Sequence, residues 1–130
     1  KKLLELDSKL TQKTKVAVIT GYGPQKYILQ TMVKQHSYKN LEIDVDTVDA
    51  FQGSQKDIIL YSTVRSSANK NGIGFLKSEA RINVAFSRAR CLLIIVGDMN
   101  FLDNYRIRGN KFPEIIEYIK ESEGCRIIEE

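Results

Sequence analysis

Three arginines lie directly before an apolar run, in the stretch RINVAFSRAR followed by residues 91–96. They are Arg81, Arg88 and Arg90. A guanidinium is permanently charged, and its planar fork of donors matches the oxygens of a phosphate group. It can also neutralise the charge that develops while a phosphoryl group is transferred. Phosphate binding, or catalysis of phosphoryl transfer, is therefore the chemistry that these residue types could perform.

Helical periodicity separates the arginines from one another. At about 100° per residue, the apolar side chains fall on one face, which we expect to pack on a sheet: Ile82, Ala85, Phe86 and Ala89. Arg81 and Arg88 are seven residues apart and lie almost in line along one flank, whereas Arg90 lies on the other. Arginine stems also often cover apolar surface with their heads in water, so spacing alone leaves both interpretations open.

The usual tools for binding a nucleotide or a metal are absent from the sequence. There is no GxxxxGKS or GxxxxGKT loop and no GxGxxG after a strand, because Gly21, Tyr22 and Gly23 form only a GxG. No set of His, Cys and carboxylate residues has the spacing of a metal site. We interpret Cys91 as a small buried hydrophobe at the start of its apolar run.

Short apolar runs alternate with helical patterns along the chain. The runs predict strands at residues 15–20, 41–48, 57–64 and 91–96, the last fully buried, and a final short strand at 125–128. Helical spacing predicts helices at 1–12, 24–36, 78–89 with Ser78 as a cap, and 111–121. This alternation predicts an α/β domain with a mainly parallel sheet and helices on both faces. Ligands gather at the carboxyl ends of the strands in such folds.

Length and composition fit one ordinary domain. The 130 residues, 42% hydrophobic and 28% charged, suit a single soluble domain over 1–130. The net charge of +4 fits a polyanionic partner without demanding one. No apolar run is long enough to cross a membrane and no signal-peptide pattern is present, so we expect no membrane partner and an intracellular protein, cytoplasmic or, in a eukaryote, nuclear.

Three stretches, in order, resemble the motifs of one family. VAVITGYGPQ at 16–25 resembles motif IV, and VDTVDAFQGSQKDIIL at 45–60 resembles motif V, of the second RecA-like domain of superfamily 1 helicases. GIGFL at 72–76 and RINVAFSRAR at 81–90 together resemble motif VI. The resemblance is to the branch typified by the nonsense-mediated-decay helicase and senataxin. It implies a three-layer RecA-like domain, cut from a longer protein, that lacks its own Walker A loop.

The resemblance implies roles on the nucleotide side. Arg88 matches the motif VI arginine that reaches across the interdomain cleft to the γ-phosphate, as an arginine finger. Gly53 and Gln55 match the motif V segment that touches the nucleotide. The family usually has glutamate in place of Gln55, and a glutamine can accept a hydrogen bond but brings no negative charge. Gln52 would link the nucleotide and nucleic-acid sides, or would be a turn residue bonded to backbone.

The motif IV match implies a contact with a single strand. Thr20 could donate to a phosphate, and Gly21 would let the backbone approach closely, although the family more often has proline there. Tyr22 would stack on a base or ribose, or would cap the sheet edge.

The motif V match continues this surface. Thr47 and Asp49 match a stretch that lies against the strand backbone, and we expect Asp49 to bond backbone or an arginine such as Arg65. Arg65 would contact nucleic acid or brace motif V. Arg81 and Arg90 are expected to serve in structural pairing or a weak phosphate contact.

The resemblance implies the second motor domain of an ATP-dependent helicase that moves 5′ to 3′ on RNA or DNA. Its partners would be a single strand and the first RecA-like domain of the same chain, which would hold ATP and Mg²⁺. The isolated domain should then be inactive. An alternative is a non-catalytic module, derived from such a domain, that binds nucleic acid or protein. A third possibility, an unrelated Rossmann-like domain, needs a cofactor fingerprint that the sequence lacks.

Overall fold

The computed structural model describes residues 1–63, 79–104 and 110–128. The helices are α1 (Lys2–Lys9), α2 (Gly23–Lys34), α3 (Glu79–Ser87), α4 (Met99–Asn104) and α5 (Phe112–Glu121). The strands are β1 (Thr14–Thr20), β2 (Leu41–Thr47), β3 (Lys56–Ser62) and β4 (Ala89–Val96), and a short 3-10 helix (Val48–Phe51) follows β2.

The described strands form one parallel sheet in the order β2-β1-β3-β4. Parallel neighbours require crossover connections, and α2 supplies the one from β1 to β2. The chain builds outward from β1 to β2, then returns to the other side of β1 to place β3. The point between β1 and β3 is therefore a topological switch point, where ligands of such sheets bind. The predicted α/β class with a parallel sheet is confirmed.

Both faces of the central strands are buried, which explains their unbroken apolar runs. Ala17, Ile19, Ile59 and Tyr61 face one side. They pack there with side chains of the 3-10 helix, α3, α4 and α5. The alternate residues of β1 and β3 face the other side and pack with leucines of α1 and α2. The domain is thus the predicted three-layer sandwich, and its core positions the strand ends.

A single carboxylate fastens α1 to the beginning of β2. Asp7 accepts hydrogen bonds from the backbone N–H groups of Lys39 at 2.9 Å, Asn40 at 2.7 Å and Leu41 at 3.0 Å. These bonds, led by that from Lys39, hold the pKa of Asp7 below its ordinary value against the opposing effect of burial. The helical pattern at 1–12 predicted α1 but not this contact, because Lys39 is distant in sequence.

The prediction that residues 91–96 are fully buried is wrong, and so is the interpretation of Cys91 as a buried residue. Cys91 is exposed, and Leu92 and Val96 remain 42% and 45% exposed. The physical reason is position in the sheet: β4 has β3 on one side and no strand partner among the described residues on the other. α2 packs over β1 and β2, at the opposite side of the sheet.

One predicted strand and the end of one helix also differ from the prediction. Residues 125–128 form no strand; the Cys125 N–H instead closes a turn onto the Ser122 carbonyl at 3.3 Å. α3 ends at Ser87 because Ala89 already pairs with Lys56 in the sheet. The predicted cap Ser78 lies outside the described residues.

Within residues 1–63, 79–104 and 110–128, no helix has the length and apolar character needed to cross a bilayer. The same residues bring together no group of three or more His, Cys, Asp or Glu side chains that could hold a metal ion.

Candidate functional site

The predicted site residues separate onto two opposite edges of the sheet. At the amino ends of the strands, the Lys56 N–H donates to the Arg88 carbonyl at 3.0 Å. At the carboxyl ends, the Thr63 N–H donates to the Val96 carbonyl at 3.0 Å. The amino edge carries Gln55 and Arg88, and Gln52 and Gly53 lie in the turn that leads to this edge from the 3-10 helix. The carboxyl edge carries Thr20, Gly21, Tyr22, Thr47 and Asp49.

Arg88 occupies the junction between α3 and β4. Its N–H donates to the Ala85 carbonyl at 3.3 Å, and the sheet bond to Lys56 fixes its carbonyl, so the backbone is held on both sides. The Nε atom of its half-buried side chain donates to the Val84 carbonyl at 3.3 Å. Within the part of the chain that the structure describes, the guanidinium makes no ion pair with a carboxylate. Its charge is therefore positioned but not neutralised.

The turn before β3 lies beside Arg88. Gly53 has φ of +81°, a left-handed conformation that favours glycine, and no atom lies within 4 Å of where a Cβ would be. Gln55 precedes Lys56 as Arg88 precedes Ala89, so Gln55 and Arg88 lie directly before two neighbouring strands. Gln52, Gly53 and Gln55 are all exposed. Gln55 and Arg88 thus lie together at this edge, and the turn with the open backbone of Gly53 leads to it.

The alternative interpretation of Gln52 as a turn residue fits its backbone. The Gln52 N–H donates to the Asp49 carbonyl at 3.4 Å, and the Ser54 N–H donates to the Phe51 carbonyl at 3.2 Å. Its exposed side chain makes no hydrogen bond to another described residue. The turn therefore uses the Gln52 backbone and leaves the amide group exposed at the surface.

On the carboxyl edge, Thr20 shapes the loop instead of presenting its hydroxyl. Thr20 is 0% exposed, and its Oγ1 accepts a hydrogen bond from the Tyr22 N–H at 3.4 Å. The hydroxyl is thus buried in this structure, and the contact of Thr20 with a phosphate stays a prediction. The half-buried Gly21 and Tyr22 form the tip of the loop, and Tyr22 is the residue before the first turn of α2.

Thr47 ends β2 beside a half-buried ion pair, Lys26 with Asp46, that the sequence did not indicate. The Thr47 N–H donates to Asp46 Oδ1 at 2.7 Å, and Lys26 Nζ of α2 contacts the same oxygen at 2.9 Å. Burial pushes the pKa of Asp46 upward, but the hydrogen bonds from Lys26 and Thr47 outweigh it and leave that pKa below its ordinary value. Lys26 thus joins the start of α2 to the end of β2.

Asp49 pairs with an arginine, but with Arg81 of α3. Arg81 Nη2 lies 3.5 Å from Asp49 Oδ2. Arg65, the arginine given as an example partner, lies outside the described residues. Arg90 lies 3.8 Å from Asp57 Oδ1, so the expected structural pairing of Arg81 and Arg90 is confirmed.

α3 joins the two edges. Arg81 lies near its beginning, and Arg88 lies just past its end, about two turns or roughly 10 Å further along. Ile82 and Ala85 are buried against the sheet, and Phe86 packs edge-to-face on Tyr61 with ring centroids 5.5 Å apart. The predicted core-facing side of this helix is confirmed.

Two polar side chains in the core were missed from the sequence. Tyr61 and Thr63 of the β3 region are 0% exposed, and the Tyr61 Oη and Thr63 Oγ1 atoms have no hydrogen-bond partner in the described structure. Burial, and to a lesser degree the neighbouring Tyr22, raises the pKa of Tyr61 to about 12. The sequence signal for this buried hydroxyl was a tyrosine within the apolar run at 57–64.

A parallel four-stranded sheet flanked by helices on both faces is consistent with a RecA-like domain. Residues 1–100 match a family described as AAA domain, and the chain belongs to that family. Its relatives carry helicase names of the nonsense-mediated-decay and senataxin branch, which confirms the resemblance found in the motifs.

Three of these relatives illustrate the match. The helicase sen1 of Schizosaccharomyces pombe is 46% identical over 98 residues, which cover 74% of this chain and 6% of that protein. The regulator of nonsense transcripts 1 homolog of Neurospora crassa is 44% identical, covering 71% and 9%. An uncharacterized ATP-dependent helicase of Methanocaldococcus jannaschii is 38% identical over 123 residues, covering 94% and 17%. The chain thus spans at most 17% of the length of these three relatives.

Proposed function

We propose that this chain is the second motor domain of an ATP-dependent helicase acting on RNA or DNA, and that it supplies an arginine finger and part of the single-strand surface. The observation that carries the proposal is Arg88. Its backbone is fixed at the amino edge of the sheet while its charge has no carboxylate partner among the described residues. A positioned, unneutralised guanidinium suits an anionic ligand.

The ligand would be ATP held by another domain. The described residues offer no carboxylate cluster for Mg²⁺, and the sequence has no phosphate-binding loop, so Mg²⁺ and most of the ATP contacts do not fit this chain alone. A guanidinium and an exposed glycine backbone do fit one side of a triphosphate. Arg88 would neutralise charge on the γ-phosphate, and Gly53, Gln52 and Gln55 would line the nucleotide beside it.

The carboxyl edge would hold the single strand. Gly21 permits close approach of a sugar-phosphate backbone, and Tyr22 offers a ring for stacking on a base. Thr47 offers a hydroxyl at the end of the neighbouring β-strand, β2. Asp49 would act indirectly, because its carboxylate pairs with Arg81. Closure of the two motor domains on ATP would alter the contacts of these loops with the nucleic acid, and their opening would restore them. Each hydrolysis would therefore move the domain along the nucleic-acid strand.

Substitution of Arg88 tests the finger. In the full-length protein, Arg88→Ala should lower ATP turnover by at least about 10³-fold, because the charge of the transferred phosphoryl group loses its partner. Circular dichroism and the melting temperature should remain close to those of the unaltered protein.

Arg90→Ala is the matched control, since Arg90 is an exposed arginine paired with Asp57 at 3.8 Å. Its loss should change turnover less than about threefold, because such exposed pairs contribute little. A loss below tenfold in Arg88→Ala would make Arg88 a structural arginine instead.

A second candidate is a non-catalytic module that binds nucleic acid or protein. Gln55 favours it, because the family usually has glutamate there. The remainder of the parent sequence distinguishes the two: a GxxxxGKS or GxxxxGKT loop and magnesium-binding carboxylates support the enzyme, and their loss supports the module.

A further inference from the structure

The core at the carboxyl end of β3 contains a phenol with an unused hydroxyl. Tyr61 is 0% exposed and its Oη has no hydrogen-bond partner among the described residues. Folded proteins leave few buried polar groups unpaired, because such a group has lost its contacts with water. Phenylalanine would fill nearly the same space without this cost. The hydroxyl therefore calls for a functional explanation.

Tyr61 lies between the two elements that the proposed function must couple. Its ring packs edge-to-face on Phe86 of α3, at 5.5 Å between centroids and an interplanar angle of 86°. Its backbone pairs with that of Ile19, which is followed by the loop containing Tyr22. Tyr22 is also close enough for its phenol to add to the rise that burial causes in the pKa of Tyr61.

α3 extends this contact to the opposite edge of the sheet. Phe86 is two residues before Arg88, and α3 packs on the sheet through Ile82 and Ala85. Because close-packed cores transmit small shifts, a displacement of the Tyr61 ring would therefore move the end of α3, next to Arg88.

We propose that Tyr61 is a positioning residue whose hydroxyl gains a hydrogen-bond partner when single-stranded nucleic acid engages the loop at Gly21 and Tyr22, and whose ring then fixes α3 and Arg88. This rests on the proposed function. A ligand shifts a protein between two states only through contacts that differ between them. Here the difference is a hydroxyl that is unpaired in the free state and paired in the strand-bound state.

Tyr61→Phe in the full-length protein is the test. ATP turnover is measured without nucleic acid and with saturating oligouridylate or oligothymidylate, together with the Kd for each oligonucleotide and the melting temperature. We expect an unchanged or higher melting temperature and unchanged basal turnover. Strand affinity and strand-stimulated turnover should fall about three- to tenfold, the effect of one lost hydrogen bond.

Tyr118→Phe is the matched control, because Tyr118 is 68% exposed on α5 and should alter none of these quantities. Tyr61→Leu also removes the ring from Phe86 and should reduce stimulation further than Tyr61→Phe does. Wild-type strand affinity and stimulation in Tyr61→Phe would overturn the proposal for Tyr61 alone. A lower melting temperature with equal losses of basal and stimulated turnover would also overturn it, because that result would show that Tyr61 contributes only to core packing. Absence of strand binding by the unaltered protein would overturn the proposed function as well.

Discussion

The three arginines of one segment differ in what their guanidinium groups contact. Arg81 and Arg90 lie 3.5 Å and 3.8 Å from carboxylates, whereas Arg88 donates to a backbone carbonyl. These two ion pairs are exposed and contribute little to stability, but they leave Arg88 as the arginine of the three without a carboxylate partner among the described residues. Spacing along a helix separated Arg81 from Arg90, and the resemblance to motif VI singled out Arg88. The contacts add that Arg88, unlike the other two, has no carboxylate partner among the described residues.

Asp7 carries a prediction about pH. Its folded-state pKa is depressed, so its contribution to stability is present above the unfolded value of 3.8 and is lost as pH falls through the folded value. Asp7→Asn should therefore lower the melting temperature near neutral pH, and the difference from the unaltered protein should shrink on acidification below about pH 3.8. Thermal unfolding between pH 3 and 7 measures this.

Glu42→Gln provides the control for Asp7, because Glu42 is exposed on β2 and its side chain makes no hydrogen bond or ion pair with another described residue. Its substitution should leave the melting temperature unchanged at every pH. A difference for Asp7→Asn that stays constant from pH 7 to pH 3 would contradict the assigned hydrogen bonds.

At the scale of elements, the end of β4 packs tightly against the end of β3. A Cβ at Gly97 would overlap the hydroxyl of Thr63 and crowd the side chain of Leu102. Gly97→Ala should therefore lower the free energy of unfolding by about 1–3 kcal/mol, as overpacking of a core does. Urea unfolding of the protein measures the change.

Thr63→Ala should relieve the clash, so the double variant should be more stable than Gly97→Ala alone. Gly23→Ala is the matched control, because nothing lies within 4 Å of its Cβ position and its φ is not positive. Equal destabilisation at Gly23 and Gly97, or no relief from Thr63→Ala, would contradict the packing at Gly97.

At the scale of the whole molecule, the nucleotide and strand surfaces are proposed for opposite edges of one sheet, and neither edge carries a phosphate-binding loop. Residues 1–130 alone should therefore fold, bind ATP weakly or not at all, and release no phosphate from ATP above background. Phosphate release and calorimetric titration with ATP and Mg²⁺ test this. Robust hydrolysis by a clean preparation would exclude the second-domain assignment.

The sequence predicted the sheet and the motifs well, because both depend on local patterns. Unbroken apolar runs predicted β1 and β3, and helical spacing predicted the buried face of α3. It failed where the outcome depended on neighbours distant in the chain. The apolar run of β4 was predicted to be buried, but burial requires a covering element, and the local pattern did not indicate that the sheet would enclose Thr20.

The exposed outer strand has a practical consequence for the isolated domain. β4 offers unpaired backbone groups on one side, as far as the described residues extend, together with the apolar side chains of Leu92 and Val96 and the thiol of Cys91. A strand edge of this kind is a template for pairing with another chain. Concentrated preparations will thus be prone to self-association through β4 and to thiol oxidation there, and a charged residue at position 92 together with serine at 91 is the change that should improve solubility.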